Sequence, residues 1–273
     1  MKGYLSNDVK STNLHRYLSS KNFTLSEIFW KVQNVIKCKA AYIGGSIIYG
    51  IDNIYSDIDV LVIVDESEGQ LPAQLTQLDI KGVRADCRTI AIGRVNASIE
   101  NIINKATIIA DNKNPFRIGL KSEEHEALDR IANGINIHEN FFQVREFYNS
   151  LALVLTFDRI NDFFGIYQDA VGALLSNQLY YSYTRTLECA AKVVDIFLSA
   201  NGYINESVKS RVVALDVFYP EEKITAWYKN LLADLNIGNN AKSALRSRLR
   251  EMSLMILDLQ LKKFDMIEAY NGK

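Results

Sequence analysis

The residues best placed to do chemistry lie close together near the start of the chain. Tyr42-Ile-Gly-Gly-Ser-Ile-Ile-Tyr-Gly50 is followed by Ser56-Asp-Ile-Asp-Val-Leu-Val-Ile-Val64. The first stretch reads as a strand ending in Gly44-Gly45-Ser46, where a short helix begins. Glycines let backbone amides approach a ligand, and a helix N-terminus favours anions. The Ser46 hydroxyl adds a donor for a phosphate oxygen. In the second stretch Asp57 and Asp59 stand two apart at the start of a strand, so both carboxylates share one face. Ile58, Val60, Val62 and Val64 take the other. Two carboxylates on one face repel unless something neutralises them, and a divalent cation such as Mg²⁺ does so through oxygen ligands.

A third acid fits the same scheme. In Gly82-Val-Arg-Ala-Asp-Cys-Arg-Thr-Ile90, alternation puts Arg84, Asp86 and Arg88 on one face. An acid within a sheet is costly unless paired or metal-bound. If this strand lies beside the Asp57–Asp59 strand, Asp86 completes a cage for two cations. The alternatives are bland: a Ser-capped turn at 44–46, an Asx-turn at Asp57, and an ion pair of Asp86 with Arg84 or Arg88.

The order Gly-Gly-Ser, then Asp-x-Asp, then a lone Asp on a later strand resembles the DNA polymerase β-like nucleotidyltransferase superfamily. The resemblance spans about residues 24–92 and points to the small-molecule branch, the antibiotic nucleotidyltransferases. It implies an α+β catalytic domain, a small mixed sheet with flanking helices, followed by an all-α helical bundle. It implies that Gly45 and Ser46 hold a nucleoside triphosphate and that Asp57, Asp59 and Asp86 bind two Mg²⁺ ions. Gly44 and Ser56 belong to the same two motifs and are grouped with the nucleotide-binding residues. Tyr49 either stacks near the nucleotide or is a core aromatic.

The reaction so implied moves a nucleoside monophosphate, AMP by expectation, from a triphosphate to a hydroxyl of a small molecule and releases pyrophosphate. An aminoglycoside-like antibiotic or a metabolite is the expected acceptor. The alternative is nucleotidylation (AMPylation) of a partner protein in a toxin–antitoxin-type system. No Arg is followed by His five to seven positions on, which speaks against a fused ribonuclease.

The elements that must position these residues are legible in outline. Residues 24–37 have helical spacing behind a Thr24 or Ser26 cap, and Ala40–Ile43, Ile58–Val64 and Val83–Ile90 are β-like runs. From about Lys121 the texture turns helical, over 122–134, 139–160, 165–182, 184–200, 206–217, 222–234 and 240–268. The segment Asp111–Pro115 marks the expected boundary, giving a catalytic domain over 1–115 and a helical domain over 116–273 for acceptor binding or dimerisation. On the segment 184–200, Arg185, Glu188, Lys192 and Asp195 form one stripe. It reads as a solvated face. The sharper reading makes it an acceptor wall, with Arg185 and Lys192 on the triphosphate and Glu188 as a proton acceptor.

Composition narrows the class further. The 273 residues carry 31 basic and 32 acidic side chains, a net charge of −1, and 48% are hydrophobic. That is a globular balance and no phosphate-coating surface, so a nucleic-acid partner is not expected. Three cysteines without metal spacing predict no disulfide framework, and three histidines, with His125 and His138 read as surface or loop, predict no zinc hydrolase. Neither a signal peptide nor a membrane span is legible, so the expectation is a cytoplasmic enzyme.

Overall fold

The computed structural model describes residues 7–65, 75–111, 122–138, 144–204, 211–233 and 240–271. By its internal contacts the chain divides into two units. One comprises Tyr4–Asn104 with Leu120–Tyr148, and the other Met1–Gly3, Lys105–Gly119 and Asn149–Lys273.

The first unit is built on a mixed five-stranded sheet in the order β3-β4-β2-β1-β5. Its strands are β1 (Ala40–Gly44), β2 (Ile58–Val64), β3 (Leu75–Ile80), β4 (Val83–Ala91) and β5 (Ile135–Asn136). The pair β2–β4 is parallel and the other three pairs are antiparallel. β3 and β4 form a hairpin over Lys81 and Gly82 at φ 51° and 83°, the positive-φ pair that a tight two-residue turn requires. Asp79 Oδ1 accepts the Gly82 N–H at 3.1 Å and fixes that turn.

Helices α1 (Asn7–Ser20) and α2 (Leu25–Val35) supply the apolar cover. Leu14, Tyr17, Leu18, Ile28 and Val32 join Ile43, Ile58, Val60, Val62, Ala85 and Cys87 in one buried cluster. Burial therefore selects the even-numbered face of β2, and Asp59 is left to the other. Thr24, not Ser26, caps α2, through a full capping box with Glu27. The short α3 (Ser46–Tyr49), α4 (Ile92–Ala110) as far as Asn104, and α5 (Ser122–Asn133) complete the set, with α5 packed on β1 and β2.

The second unit is helical: α6 (Val144–Leu175), α7 (Leu179–Ala200), α8 (Arg211–Phe218), α9 (Lys223–Ala233) and α10 (Ala241–Asn271). Hydrogen bonds tie α7 to α6, Ser182 Oγ donating to the Ala170 carbonyl at 2.9 Å and Thr156 Oγ1 to Ser199 Oγ at 2.9 Å. Arg211 grips Asp195 with two nitrogens, at 2.6 and 2.8 Å.

Several sequence expectations change here. The boundary drawn at 115 leaves α5 and β5 with the helical half, whereas the structure keeps Leu120–Tyr148 with the sheet. A helical period does not reveal which layer a helix joins, and β5 is only two residues long. The break drawn between 160 and 165 is absent, since α6 runs through it; the turn falls at Ser176–Gln178, with Asn177 at φ 60°. The strand β3 and the helices α1 and α4 were not anticipated. Residues 112–115, 139–143, 206–210, 234 and 236–239 of the expected boundary, helices and connections lie outside the described residues. Among the described residues no helix is long and apolar enough to cross a membrane.

Candidate active site

The three acids come together at one end of the parallel pair. Asp59 and Asp86 are register partners on β2 and β4, and Asp57 precedes β2 by one residue. On the other side of β2, Asp59 is the register partner of Gly44 on β1. The sheet thus places the Asp-x-Asp motif between the lone Asp and the glycine turn.

The turn is shaped around the carboxylate. Gly45 has φ 73° and ψ −159°, a conformation essentially reserved for glycine. A Cβ at Gly45 would stand 2.1 Å from Asp59 Oδ2, and one at Gly44 would stand 2.9 Å from Arg130 Cγ. Both glycines are therefore needed for Asp59 and Arg130 to approach the backbone. At Gly45 this packing adds a second reason for glycine beside the approach of a ligand to the backbone. The helix α3 spans a single turn, so its macrodipole is small and any anion affinity rests on the backbone amides of the turn itself.

Arginines neutralise the acids. Arg84 pairs with Asp57, and its Nε lies 3.2 Å from Asp86 Oδ1 without hydrogen-bond geometry, so that buried oxygen has no hydrogen-bond partner. The ion pair of Asp86 with Arg84, one of the bland readings, is thus present in part. Arg130 Nη2 donates to Asp59 Oδ1 at 3.0 Å and to Glu126 Oε1 at 2.6 Å, and Glu126 also pairs with Arg88. Burial pushes the Asp59 carboxyl above its ordinary range; Arg130 opposes that, and Asp86 and Asp57 add to it.

As the side chains stand, no three His, Cys, Asp or Glu groups among the described residues converge as a metal site would hold them. The donor chemistry still suits a hard divalent cation. All donors are oxygen, Asp59 and Asp86 are in register, and one buried oxygen of Asp86 lacks a hydrogen bond. The positive charge facing these acids now belongs to Arg84 and Arg130.

The other expected residues have plainer surroundings. Tyr49 is 3% exposed, the core-aromatic alternative, beside the buried Ile47 and Ile48. Ser56 Oγ accepts the Asn53 N–H at 2.9 Å, and its carbonyl accepts from Tyr17 Oη at 2.6 Å, so this residue shapes the loop entering β2. In the helical unit Arg185 donates to Glu188 at 2.5 Å and Lys192 to Asp162 at 3.2 Å. Arg185 and Glu188 thus pair within the stripe, while Lys192 pairs across to α6. Asp195 leaves the stripe: it is buried under Arg211. His125 is 5% exposed on α5, not a surface residue, while His138 is exposed and packs on Phe29 at 4.7 Å between ring centroids.

Arg130 and Glu126 were missed. Their i, i+4 spacing in the segment 122–134 was visible, but only the sheet reveals that it faces Asp59.

The chain is similar in backbone to the crystal structure of a nucleotidyltransferase-like protein from Exiguobacterium sibiricum 255-15. Identity is 12% and the TM-score 0.47, over 80% of this chain and 68% of that one. No protein-family model and no curated protein matches the chain.

Proposed function

We propose that this chain is a nucleotidyltransferase that joins the α-phosphorus of a nucleoside triphosphate to an acceptor hydroxyl. The observation that carries the reading is the side-by-side register of Asp59 and Asp86 with Gly44 and Gly45 against Asp59. An ordinary strand-to-helix turn has no need of a bare backbone packed on a half-buried acid.

In this reading the oxygen–phosphorus bond to the acceptor forms as the bond to the bridging oxygen breaks, and pyrophosphate leaves. Asp57, Asp59 and Asp86 would hold Mg²⁺, which supplies charge neutralisation at the phosphates when bound. The Gly45–Ser46 amides and the Ser46 hydroxyl receive phosphate oxygens. The acceptor proton passes to Asp86, whose buried Oδ1 has no hydrogen bond to lose. Such catalysis is mainly positioning and electrostatics. ATP is the proposed donor and a hydroxylated small molecule, aminoglycoside-like or metabolic, the proposed acceptor.

A pyrophosphate-release assay tests the reading, with four triphosphates against a panel of hydroxylated metabolites and antibiotics. Turnover should require a divalent cation and fall at least roughly a hundredfold in Asp57→Asn and in Asp59→Asn, with the melting transition retained. Near-wild-type rates in either variant at saturating Mg²⁺ would remove the acids from the reaction.

A further inference from the structure

Arg130 is a buried arginine whose two terminal nitrogens differ. Nη2 serves both Asp59 and Glu126, whereas Nη1 is buried with no hydrogen-bond partner. A buried charged donor without an acceptor is expensive, and in a native structure such a group calls for a partner, whether a ligand, an ion or water. The stem of Arg130 crosses Gly44, where a Cβ would press on Cγ at 2.9 Å. The guanidinium therefore lies where the Gly44–Ser46 turn meets the Asp59 carboxylate. Glu126, four residues earlier on the same helix, holds it from behind and is itself held by Arg88.

Asp59 Oδ1 is the atom in question. A divalent cation bound through that oxygen and the Arg130 guanidinium would compete for the same charge. Once a cation takes Asp59, Arg130 keeps Glu126 but has donors to place. Arginine presents those donors in a planar fork that matches phosphate oxygens. Arg84 neutralises Asp57 and Asp86 in a parallel way, but its side chain is 52% exposed and turns into water at little cost.

Resting on the nucleotidyltransferase reading, we propose that Arg130 is a triphosphate-binding residue held in reserve by Asp59, released to the phosphates when a cation occupies that carboxylate. Cation and triphosphate then bind with positive coupling, while Arg130 opposes binding of the cation alone. The wild-type chain resists loading with bare metal and accepts metal and nucleotide together.

The test is calorimetric titration of the full-length protein. One titration uses Mn²⁺ alone, and one uses Mn²⁺ with an adenosine triphosphate whose α–β bridging oxygen is replaced by methylene. Arg130→Gln should bind Mn²⁺ alone several-fold more tightly and the analogue at least roughly tenfold more weakly. Arg130→Lys, which keeps the charge without the fork, should move both affinities in the same directions by less. It also serves if the Gln variant fails to melt cooperatively. A merely structural arginine would weaken both ligands together. That result, or an unchanged affinity for the analogue, overturns the proposal. If the wild type binds neither Mn²⁺ nor the analogue, the nucleotidyltransferase reading fails and this proposal falls with it. If the wild type binds both, only the role of Arg130 is at stake.

Discussion

Asp59 is ionised at a cost that its neighbours only partly offset. Its pKa lies above the unfolded value, mainly through burial and despite Arg130, so folding favours its protonated form. The stability it contributes is greatest below the unfolded pKa of about 4 and is lost as pH rises through the higher folded value. Asp59→Asn should therefore melt higher than the wild type at neutral pH in the presence of a chelator. The gap should close as pH is lowered toward 4, and thermal melts across pH 4–8 read it directly; a gap that widens on acidification contradicts the burial argument. At Gly45 two penalties are separable. Alanine there adopts a glycine-only conformation, costing about 1–3 kcal/mol, and also strikes Asp59 Oδ2. In a double-mutant cycle the loss from Gly45→Ala should shrink when Asp59→Ala removes the carboxylate, leaving the backbone strain and a tight approach of 3.2 Å to the remaining Cβ. The acids were legible in the sequence because alternation and spacing are local. Arg130 was not, because the register that brings it to Asp59 joins positions 71 residues apart.

At the scale of elements, α5 decides what faces the acids, and something must hold α5. Lys10 on α1 is 1% exposed, and the Asp129 carboxylate on α5 supplies an opposing charge. Burial lowers the Lys10 pKa to about 8 in spite of Asp129, and burial raises that of Asp129 against the pull of His125, Asn133, Arg130 and Lys10. A depressed lysine adds stability as pH rises from about 8 toward its unfolded value of about 10.4, and that stability is lost as pH falls back through 8. Relative to Lys10→Met, the wild type should thus gain on the order of 1–3 kcal/mol between pH 8 and 10.5 in paired denaturant melts. A constant difference would mean that Lys10 stays charged throughout. In the helical unit the Arg211–Asp195 pair is better compensated, with two charge-assisted bonds. Removing one partner strands the other, so Arg211→Met should cost about 3–5 kcal/mol. Elements with a strong period, such as α2 and β2, were legible from sequence. The two-residue β5 and the polar α1 were not, since their places depend on tertiary partners that no local pattern encodes.

Across the whole molecule the order of residues along the chain and the order of units differ. The sheet-bearing unit takes Tyr4–Asn104, yields the chain for Lys105–Gly119, and recovers it for Leu120–Tyr148. A cut at 115, where composition suggested a boundary, therefore removes α5 and β5 from the sheet. It leaves β1 with a bare edge and Asp59 without Arg130, exposing strand hydrogen bonds and an uncompensated half-buried acid. Residues 1–148 retain the five strands, the acids, both glycines and Arg130. The fragment 1–148 should unfold cooperatively in urea, whereas 1–115 should show no cooperative transition and should self-associate through the open β1 edge. Circular dichroism with analytical ultracentrifugation on the two fragments decides the matter. Cooperative, monomeric unfolding of 1–115 would mean that α5 and β5 are accessories to the sheet, and that Asp59 is stabilised by the residues before 115 alone. Failure of 1–148 with success of the full chain would instead assign the missing stability to Asn149–Lys273, making the two units one cooperative fold.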